Sequence, residues 1–284
     1  MATIEEYGAF DTAWCPGCGD HSIIRALKAA LAGLGLSPPQ VLVVTGIGQA
    51  AKSPQYMNCN MFTGLHGRSL PPAQGAKLAN PGLAVFAESG DGCSYGEGGT
   101  HFLAALRRNL DLTYLVHDNQ IYGLTKGQAS PTTGQGHKTK AQPNGYLSES
   151  FNPMAVAVAM RASFVARGFS GDVEHLTGLI QEAYRHKGFS LVDILQPCVS
   201  FNKVNTYAWY KERCYKLGPE HDPTDPVAAM ARATEFGDKI PLGVIYRNER
   251  PTFESRLPSL SAGPLALRKV DKTVLGEIMD SFRA

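Results

Sequence analysis

The sequence predicts an α/β fold: a doubly wound, mostly parallel sheet followed by an irregular C-terminal extension. Two observations lead there. Short apolar runs alternate with segments that are apolar at helical spacing through the first two-thirds of the chain, which is how parallel strands joined by helical crossovers read. The alternation then stops, and from Phe201 onward the chain carries Phe201, Tyr207, Trp209, Tyr210 and Tyr215 among several prolines, with little periodicity. The predicted organisation is one α/β domain over residues 1–200 and, over 201–284, an extension that packs on that domain or on a partner subunit.

Each element follows in order. After the loop Cys15-Pro16-Gly17-Cys18, residues 23–34 place Ile23, Ile24, Leu27, Leu31 and Leu34 on one helical face, with Asp20 or Ser22 as cap and Gly33 and Gly35 as terminators. Residues 41–44 form a buried strand closed by the turn Gly46-Ile47-Gly48, and a long polar loop with Cys59, His66 and Arg68 follows. A helix over 71–79 leads to the apolar run 83–87 and then to Gly90-Asp91-Gly92. A helix over 100–108 separates this strand from a second, 112–116, which runs into Asp118-Asn119-Gln120-Ile121-Tyr122-Gly123.

Residues 125–152 are rich in Gly, Thr, Pro, Gln and Lys without hydrophobic period; a loop of that length inside a compact domain is usually functional. Asn152-Pro153 opens a helix through Met160, 164–166 is a short strand, 173–186 a helix and 190–195 the last clear strand. In the tail, one helix is expected around 226–235.

With 284 residues, 43% of them hydrophobic and 18% charged, the chain can bury a sizeable core as a globular protein. A net charge of +2 leaves no electrostatic footprint for nucleic acid. No apolar stretch reaches membrane-spanning length, and MATIEEYGAFDT has neither a basic nor an apolar leader region, so a cytoplasmic protein is expected. Six cysteines then read as free thiols or metal ligands in preference to disulfides.

The chemistry is concentrated where the two central strands end. Carboxyl ends of adjacent parallel strands face one crevice, so Asp91 and Asn119 can reach one ion there. Magnesium takes oxygen ligands, usually one or two from the protein with phosphate oxygens completing the octahedron. Gly90 and Gly92 allow close backbone approach to a phosphate, and a helix beginning near 95–99 points its N-terminal amides at the same place. A Gly-Asp-Gly triplet followed 28 positions later by asparagine resembles the thiamine-diphosphate motif.

The CxxC loop fits a redox dithiol, half of a zinc site or half of an iron–sulfur site. Cys59 and Cys198, both in loops at element ends, are the candidates to complete a tetrathiolate, which by itself fits zinc and iron–sulfur equally. Cys93 reads as a small packing residue in the phosphate turn, and Cys214 as structural.

Taken together, WCPGCGDH, GIG followed by LHGR, GDG with the distal DNQIYGLTKGQ, and a cysteine after the last strand resemble the β subunit of the 2-oxoacid:ferredoxin oxidoreductases over about residues 8–200, and the tail is similar to that of bacterial members. The resemblance implies the thiamine-diphosphate-binding fold and a chain holding thiamine diphosphate, Mg²⁺ and one [4Fe–4S] cluster. It implies that Asp91, Asn119 and the carbonyl of Ile121 ligate Mg²⁺, and that backbone groups of Gly92, Cys93, Gly123 and Leu124 carry the diphosphate. Gly46, Ile47, Gly48 and Gln49 would line the thiazolium side, His66 would reach the cofactor, and Lys126 would bind the substrate carboxylate. Cys15, Cys18, Cys59 and Cys198 would ligate the cluster. Many relatives place the third cluster cysteine directly after GIG, where this chain has Gln49, so that ligand must come from Cys59. Cys93 replaces an acidic residue common after GDG, with little expected effect because backbone groups bind phosphate there.

The implied reaction is coenzyme-A-dependent oxidative decarboxylation of a 2-oxoacid, with electrons leaving one at a time through the cluster to ferredoxin, reversible as CO₂ fixation. Lys126 in LTKGQ points to 2-oxoglutarate, with pyruvate as the alternative substrate. The glutamate that activates the cofactor comes from the α (or fused γα) subunit in relatives, which implies a heterodimer or dimer of heterodimers and an inactive isolated chain. Two other classes remain open on the residues: a non-oxidative thiamine decarboxylase or synthase subunit, which needs no tetrathiolate, and a zinc-stabilised binding module, which needs no magnesium site.

Overall fold

The computed structural model describes residues 2–269 and 271–283. In chain order its regular elements begin with α1 (Asp20–Gly33), β1 (Val41–Thr45), a 3₁₀ helix (Ala50–Tyr56), β2 (Asn60–Thr63), α2 (Leu70–Ala79) and β3 (Ala84–Gly90). A π-helical turn (Gly92–Glu97) leads into α3 (Gly99–Arg108), then β4 (Leu112–Asp118) and the short hairpin β5 (Ile121–Tyr122) and β6 (Gln128–Ala129). Next come α4 (Pro153–Ala159), β7 (Phe164–Phe169), α5 (Val173–Arg185) and β8 (Phe189–Leu195). The tail adds α6 (Tyr207–Arg213), β9 (Cys214–Lys216), α7 (Pro226–Thr234), β10 (Ile240–Arg247) and α8 (Lys272–Ser281).

The main sheet has eight strands in the order β2-β1-β3-β4-β8-β7-β10-β9. From β2 through β7 every neighbouring pair is parallel, as the α/β prediction requires. Strand residues alternate between two cores. Val85 and Ala87 of β3 join α2, α3, α4 and α7 on one face, whereas Ala84 and Phe86 join α1 and α5 on the other. Phe86 is fully buried, and truncating such a side chain to alanine costs about 3–5 kcal/mol. Among the described residues no helix is long and apolar enough to cross a membrane.

Three expectations are corrected. Asp20 does not cap its helix: the N-cap is Gly19, and Asp20 lies in the first turn with its carboxylate turned to His117. The segment after the first glycine turn, read as one long polar loop, contains the 3₁₀ helix and the edge strand β2. Nor does the sheet stop at β8. β10 pairs antiparallel with β7 and carries β9 at its outer edge. Its period is hidden in the sequence by a register shift between Val244 and Tyr246 and by Gly243 at φ +132°, because a bulge breaks the alternation on which strand reading depends.

The chain leaves β1 outward to β2 and returns inward to β3. The carboxyl ends of β1 and β3 therefore flank a topological switch point, where open α/β sheets form their ligand crevice.

Candidate active site

The turn after β1 and the turn after β3 are tied together. Gly46 N–H donates to Ser89 Oγ at 3.1 Å. Cys93 Sγ accepts from Ile47 N–H at 3.4 Å and from Gly67 N–H at 3.1 Å. Its thiol thus pins two loops at once, more than the packing expected of it. A Cβ at position 46 would stand 2.4 Å from Cys93 Sγ and 2.9 Å from Ser89 Oγ, so only glycine fits there. Between the turns lies a cavity of about 170 Å³. Its walls bring together Ile47, Gly48, Gln49 and His66 with Asp91, Gly92, Cys93, Asn119, Ile121, Gly123 and Leu124.

Asp91 is 1% exposed, and its Oδ2 accepts from Thr132 Oγ1 at 2.7 Å. Burial pushes its carboxyl up to about 6, against hydrogen bonds from Ser130, Thr132 and the Gly92 N–H that pull it down. Thr132 Oγ1 also lies 2.8 Å from Asp118 Oδ1. Asp118 is held well above the usual carboxylate range by burial and then by Asp193 and Asp91. A hydroxyl has one proton to donate, so Thr132 satisfies both carboxylates only when one of them carries a proton of its own. Asp193, raised by burial to about 6, accepts from Tyr95 Oη at 2.6 Å. The one buried guanidinium beside Asp118 and Asp193, Arg167, already donates to the carbonyls of Ala233 and Glu235. The excess of negative charge favours a divalent cation beside Asp91.

Asn119 Oδ1 accepts from Ile121 N–H at 3.0 Å, and Asn202 Nδ2 donates to the Asn119 carbonyl at 3.1 Å. This Asx turn orients the amide. A carboxylate, an amide oxygen and a carbonyl at one cavity form the hard-oxygen donor set magnesium selects. A Cβ at Gly48 or Gly123 would meet no atom within 4 Å, and Gly48 has φ +129°. Bare backbone at both positions fronts open space, as a phosphate-bearing ligand requires. The residues fit thiamine diphosphate with Mg²⁺.

His66 Nε2 lies 3.1 Å from Glu97 Oε2, with its ring edge-on to Tyr122. Lys126 does not line the cavity. It sits exposed at the tip of the β5–β6 hairpin with φ +75°, its N–H donating to Gly123 O at 3.2 Å. A wider cleft of about 750 Å³, lined by Arg185, His186, Lys187 and Arg247, lies at the amino ends of β7 and β8, away from this crevice.

Cys15, Cys18 and Cys198 line a second, smaller cavity of about 50 Å³. Gln49, Asn119 and Gly123 line both cavities, so a single wall separates them. Ser200 Oγ donates to Cys15 Sγ at 3.1 Å, and Gln196 Nε2 to Cys18 Sγ at 3.2 Å. Cys59 is not brought there. It immediately precedes β2, whose Asn60 is level with Leu42 near the amino end of β1. Its thiol is pushed up to about 12 by burial and then by Glu88, with Lys28 opposing. The four-thiolate set therefore does not fit a cluster: three cysteines share a cavity and the fourth lies elsewhere. Sequence order shows that Cys59 is in a loop, not which end of the sheet that loop faces.

Sequence reasoning also missed a buried chain at the sheet centre. His117 Nδ1 lies 2.7 Å from Asp20 Oδ1, and Nε2 lies 2.8 Å from Glu88 Oε1. The first contact is an aligned hydrogen bond. The second is close but off-line, leaving both Glu88 oxygens without an aligned donor. Burial lowers the affinity of His117 for its proton, but the two carboxylates outweigh it and bring the imidazolium to about 9. A histidine inside the run 112–118 was the available signal.

Comparison with known proteins places this geometry. Residues 42–194 match the family model described as thiamine pyrophosphate enzyme, C-terminal TPP binding domain. Residues 198–262 match the model for the C terminal of the pyruvate ferredoxin oxidoreductase beta subunit. Subunit beta of 2-oxoacid:ferredoxin oxidoreductase 1 from Aeropyrum pernix is 45% identical over 95% of this chain and 91% of its own. The 2-oxoglutarate oxidoreductase subunit KorB of Mycobacterium tuberculosis is 42% identical over 70% of this chain and 53% of its own. A solved structure of 2-oxoglutarate:ferredoxin oxidoreductase from Magnetococcus marinus, with 2-oxoglutarate, coenzyme A and succinyl-CoA bound, superposes with a TM-score of 0.90 at 32% identity, covering 99% of this chain and 96% of the other.

Proposed function

Because the chain belongs to the β subunits of the 2-oxoacid:ferredoxin oxidoreductases, we propose that it provides the magnesium and diphosphate half of a thiamine site that oxidatively decarboxylates 2-oxoglutarate with coenzyme A and passes the electrons to ferredoxin. The observation that carries this reading is the convergence of Asp91, Asn119 and Ile121 with the bare backbone of Gly48 and Gly123 on one cavity. Asp91, Asn119 and the Ile121 carbonyl hold Mg²⁺. Backbone groups of Gly92, Cys93, Gly123 and Leu124 hold the diphosphate, and Gly46, Ile47, Gly48 and Gln49 form the thiazolium wall. His66, fixed by Glu97, reaches the cofactor from the side. When bound, thiamine diphosphate supplies the electron sink that decarboxylation of a 2-oxoacid needs.

The site is half of one. Complete small-molecule sites enclose roughly 300–1,000 Å³, whereas this cavity encloses about 170 Å³. The remaining walls, and the acid that activates the cofactor, come from an α or fused γα subunit in a heterodimer or dimer of heterodimers. Lys126, on the hairpin at the cavity mouth, takes the substrate carboxylate from the open side. The same assembly run backwards fixes CO₂, and the cytoplasm is its compartment.

The test compares the reconstituted complex on 2-oxoglutarate and pyruvate, reading coenzyme-A-dependent viologen reduction. A higher kcat/KM on 2-oxoglutarate is expected, with no turnover by the chain alone. Preference for pyruvate would reassign the substrate, and turnover without a partner would overturn the half-site.

A further inference from the structure

Gln49 Oε1 is buried and has no hydrogen-bond partner. A buried amide oxygen left without a donor costs about 1–3 kcal/mol, so such an atom calls for an explanation. Its residue stands in the wall between the proposed thiamine cavity and the cavity of Cys15, Cys18 and Cys198, and lines both. Its main chain is fixed there too, because Trp14 Nε1, next to Cys15, donates to Gln49 O at 2.9 Å.

Cys59 is excluded from the same place by strand geometry. Leu42 pairs with Asn60, which puts Cys59 level with Val41, the first residue of β1. The cysteine cavity lies beyond the other end of the sheet, where Cys198 follows β8. The five residues of β1 alone span roughly 13 Å at about 3.3 Å per residue. Around Cys59 stand Tyr7, Lys28 and Glu88, and Cys59 is not among the residues that line the cavity of Cys15, Cys18 and Cys198.

We infer that this chain holds its iron–sulfur cluster with three thiolates, Cys15, Cys18 and Cys198, that Gln49 occupies the fourth corner, and that Cys59 takes no part. The inference rests on the iron–sulfur oxidoreductase reading above and adds a property to it. Amide oxygen is a harder and weaker partner than thiolate for an iron embedded in sulfide, so the iron facing Gln49 is the labile one. Removing one electron from a [4Fe–4S]²⁺ core and releasing that iron as Fe²⁺ leaves [3Fe–4S]⁺, with charge and atoms balanced.

The experiment uses the anaerobically purified complex with its partner subunit. It measures iron, acid-labile sulfide and the electron paramagnetic resonance spectrum before and after stoichiometric ferricyanide, taken as differences between variants so that other clusters cancel. Wild type is expected to release one iron per chain and gain a three-iron signal. Cys59→Ser should match wild type in every readout, Gln49→Cys should retain its iron under the same oxidation, and Cys15→Ser should lack the cluster. Loss of iron in Cys59→Ser, or equal resistance of wild type and Gln49→Cys, overturns the three-thiolate assignment while leaving an iron–sulfur protein. Unchanged iron in Cys15→Ser overturns the iron–sulfur reading itself.

Discussion

Thr132 Oγ1 lies 2.7 Å from Asp91 Oδ2, so the carboxylate proposed to hold magnesium is aimed by a residue 41 positions further along the chain. Replacing Thr132 with valine keeps the shape and removes the hydroxyl, leaving Asp91 and Asp118 without the group between them. Loss of such an outer-shell partner typically costs 10–100-fold in metal affinity. Titration of the apoprotein with Mg²⁺ and thiamine diphosphate is expected to show a weakening of about that size for Thr132→Val, and near wild-type binding for Thr132→Ser. Unchanged binding in Thr132→Val would show that Asp91 needs no aiming.

Magnesium binding should also depend on pH through Asp91. Its folded carboxyl titrates at about 6, above the ordinary 3.8, because it is buried. A carboxyl raised in this way stabilises the metal-free fold while protonated, and that contribution fades as pH rises through about 6. Magnesium must displace the proton. Its affinity is therefore expected to climb by roughly tenfold per pH unit below that point and to level off above it. Calorimetry in buffers of different ionisation enthalpy should detect close to one proton released per ion at pH 5 and few at pH 8. Asp91→Asn should abolish the dependence together with most of the binding.

The convergence of Asp91 and Asn119 on one cavity is legible in sequence because each follows an apolar run, and strand ends in a parallel sheet converge whatever lies between them. Thr132 is not legible. It lies in a stretch without hydrophobic period, and only the fold-back of residues 125–152 over the crevice delivers it. Cys59 is hard to place from sequence for a related reason: a cysteine beside a strand reads the same at either end. β10 escapes notice because its bulge and Gly243 erase the alternation. His117 was visible as a histidine in a buried run, but its partners Asp20 and Glu88 come from 97 and 29 positions away.

That histidine sets the stability of the sheet centre at alkaline pH. His117 titrates at about 9 in the fold, because Asp20 and Glu88 outweigh the effect of burial, against about 6.5 in an unfolded chain. A raised histidine contributes stability that is complete below the unfolded value and lost as pH rises through the folded one. Urea midpoints of the apoprotein are expected to hold up to about pH 7 and to fall progressively toward pH 10. His117→Gln should lose that slope and be destabilised by roughly 3–5 kcal/mol at pH 7, since it leaves two buried carboxylates without a countercharge. A flat wild-type profile would mean that the imidazole is neutral.

Lys126 combines an exposed side chain with φ +75°, a conformation that costs a residue with a Cβ on the order of 1–3 kcal/mol. Its neighbour Gly127 meets the same demand at φ +102° without that cost. A strained lysine where glycine would serve is consistent with the proposed role of the ammonium at the hairpin tip. Lys126→Gly relieves the strain but frees the unfolded chain, so its stability is expected to equal wild type or exceed it by up to about 1 kcal/mol. Activity should move the other way. If the ammonium binds the substrate carboxylate, KM for 2-oxoglutarate rises at least tenfold in Lys126→Gly and in Lys126→Asn, which tolerates the same backbone. In both, kcat changes less than KM, and Lys126→Arg recovers most of the loss. Unchanged KM in the uncharged variants would leave the strain without a catalytic purpose and remove Lys126 from the substrate site.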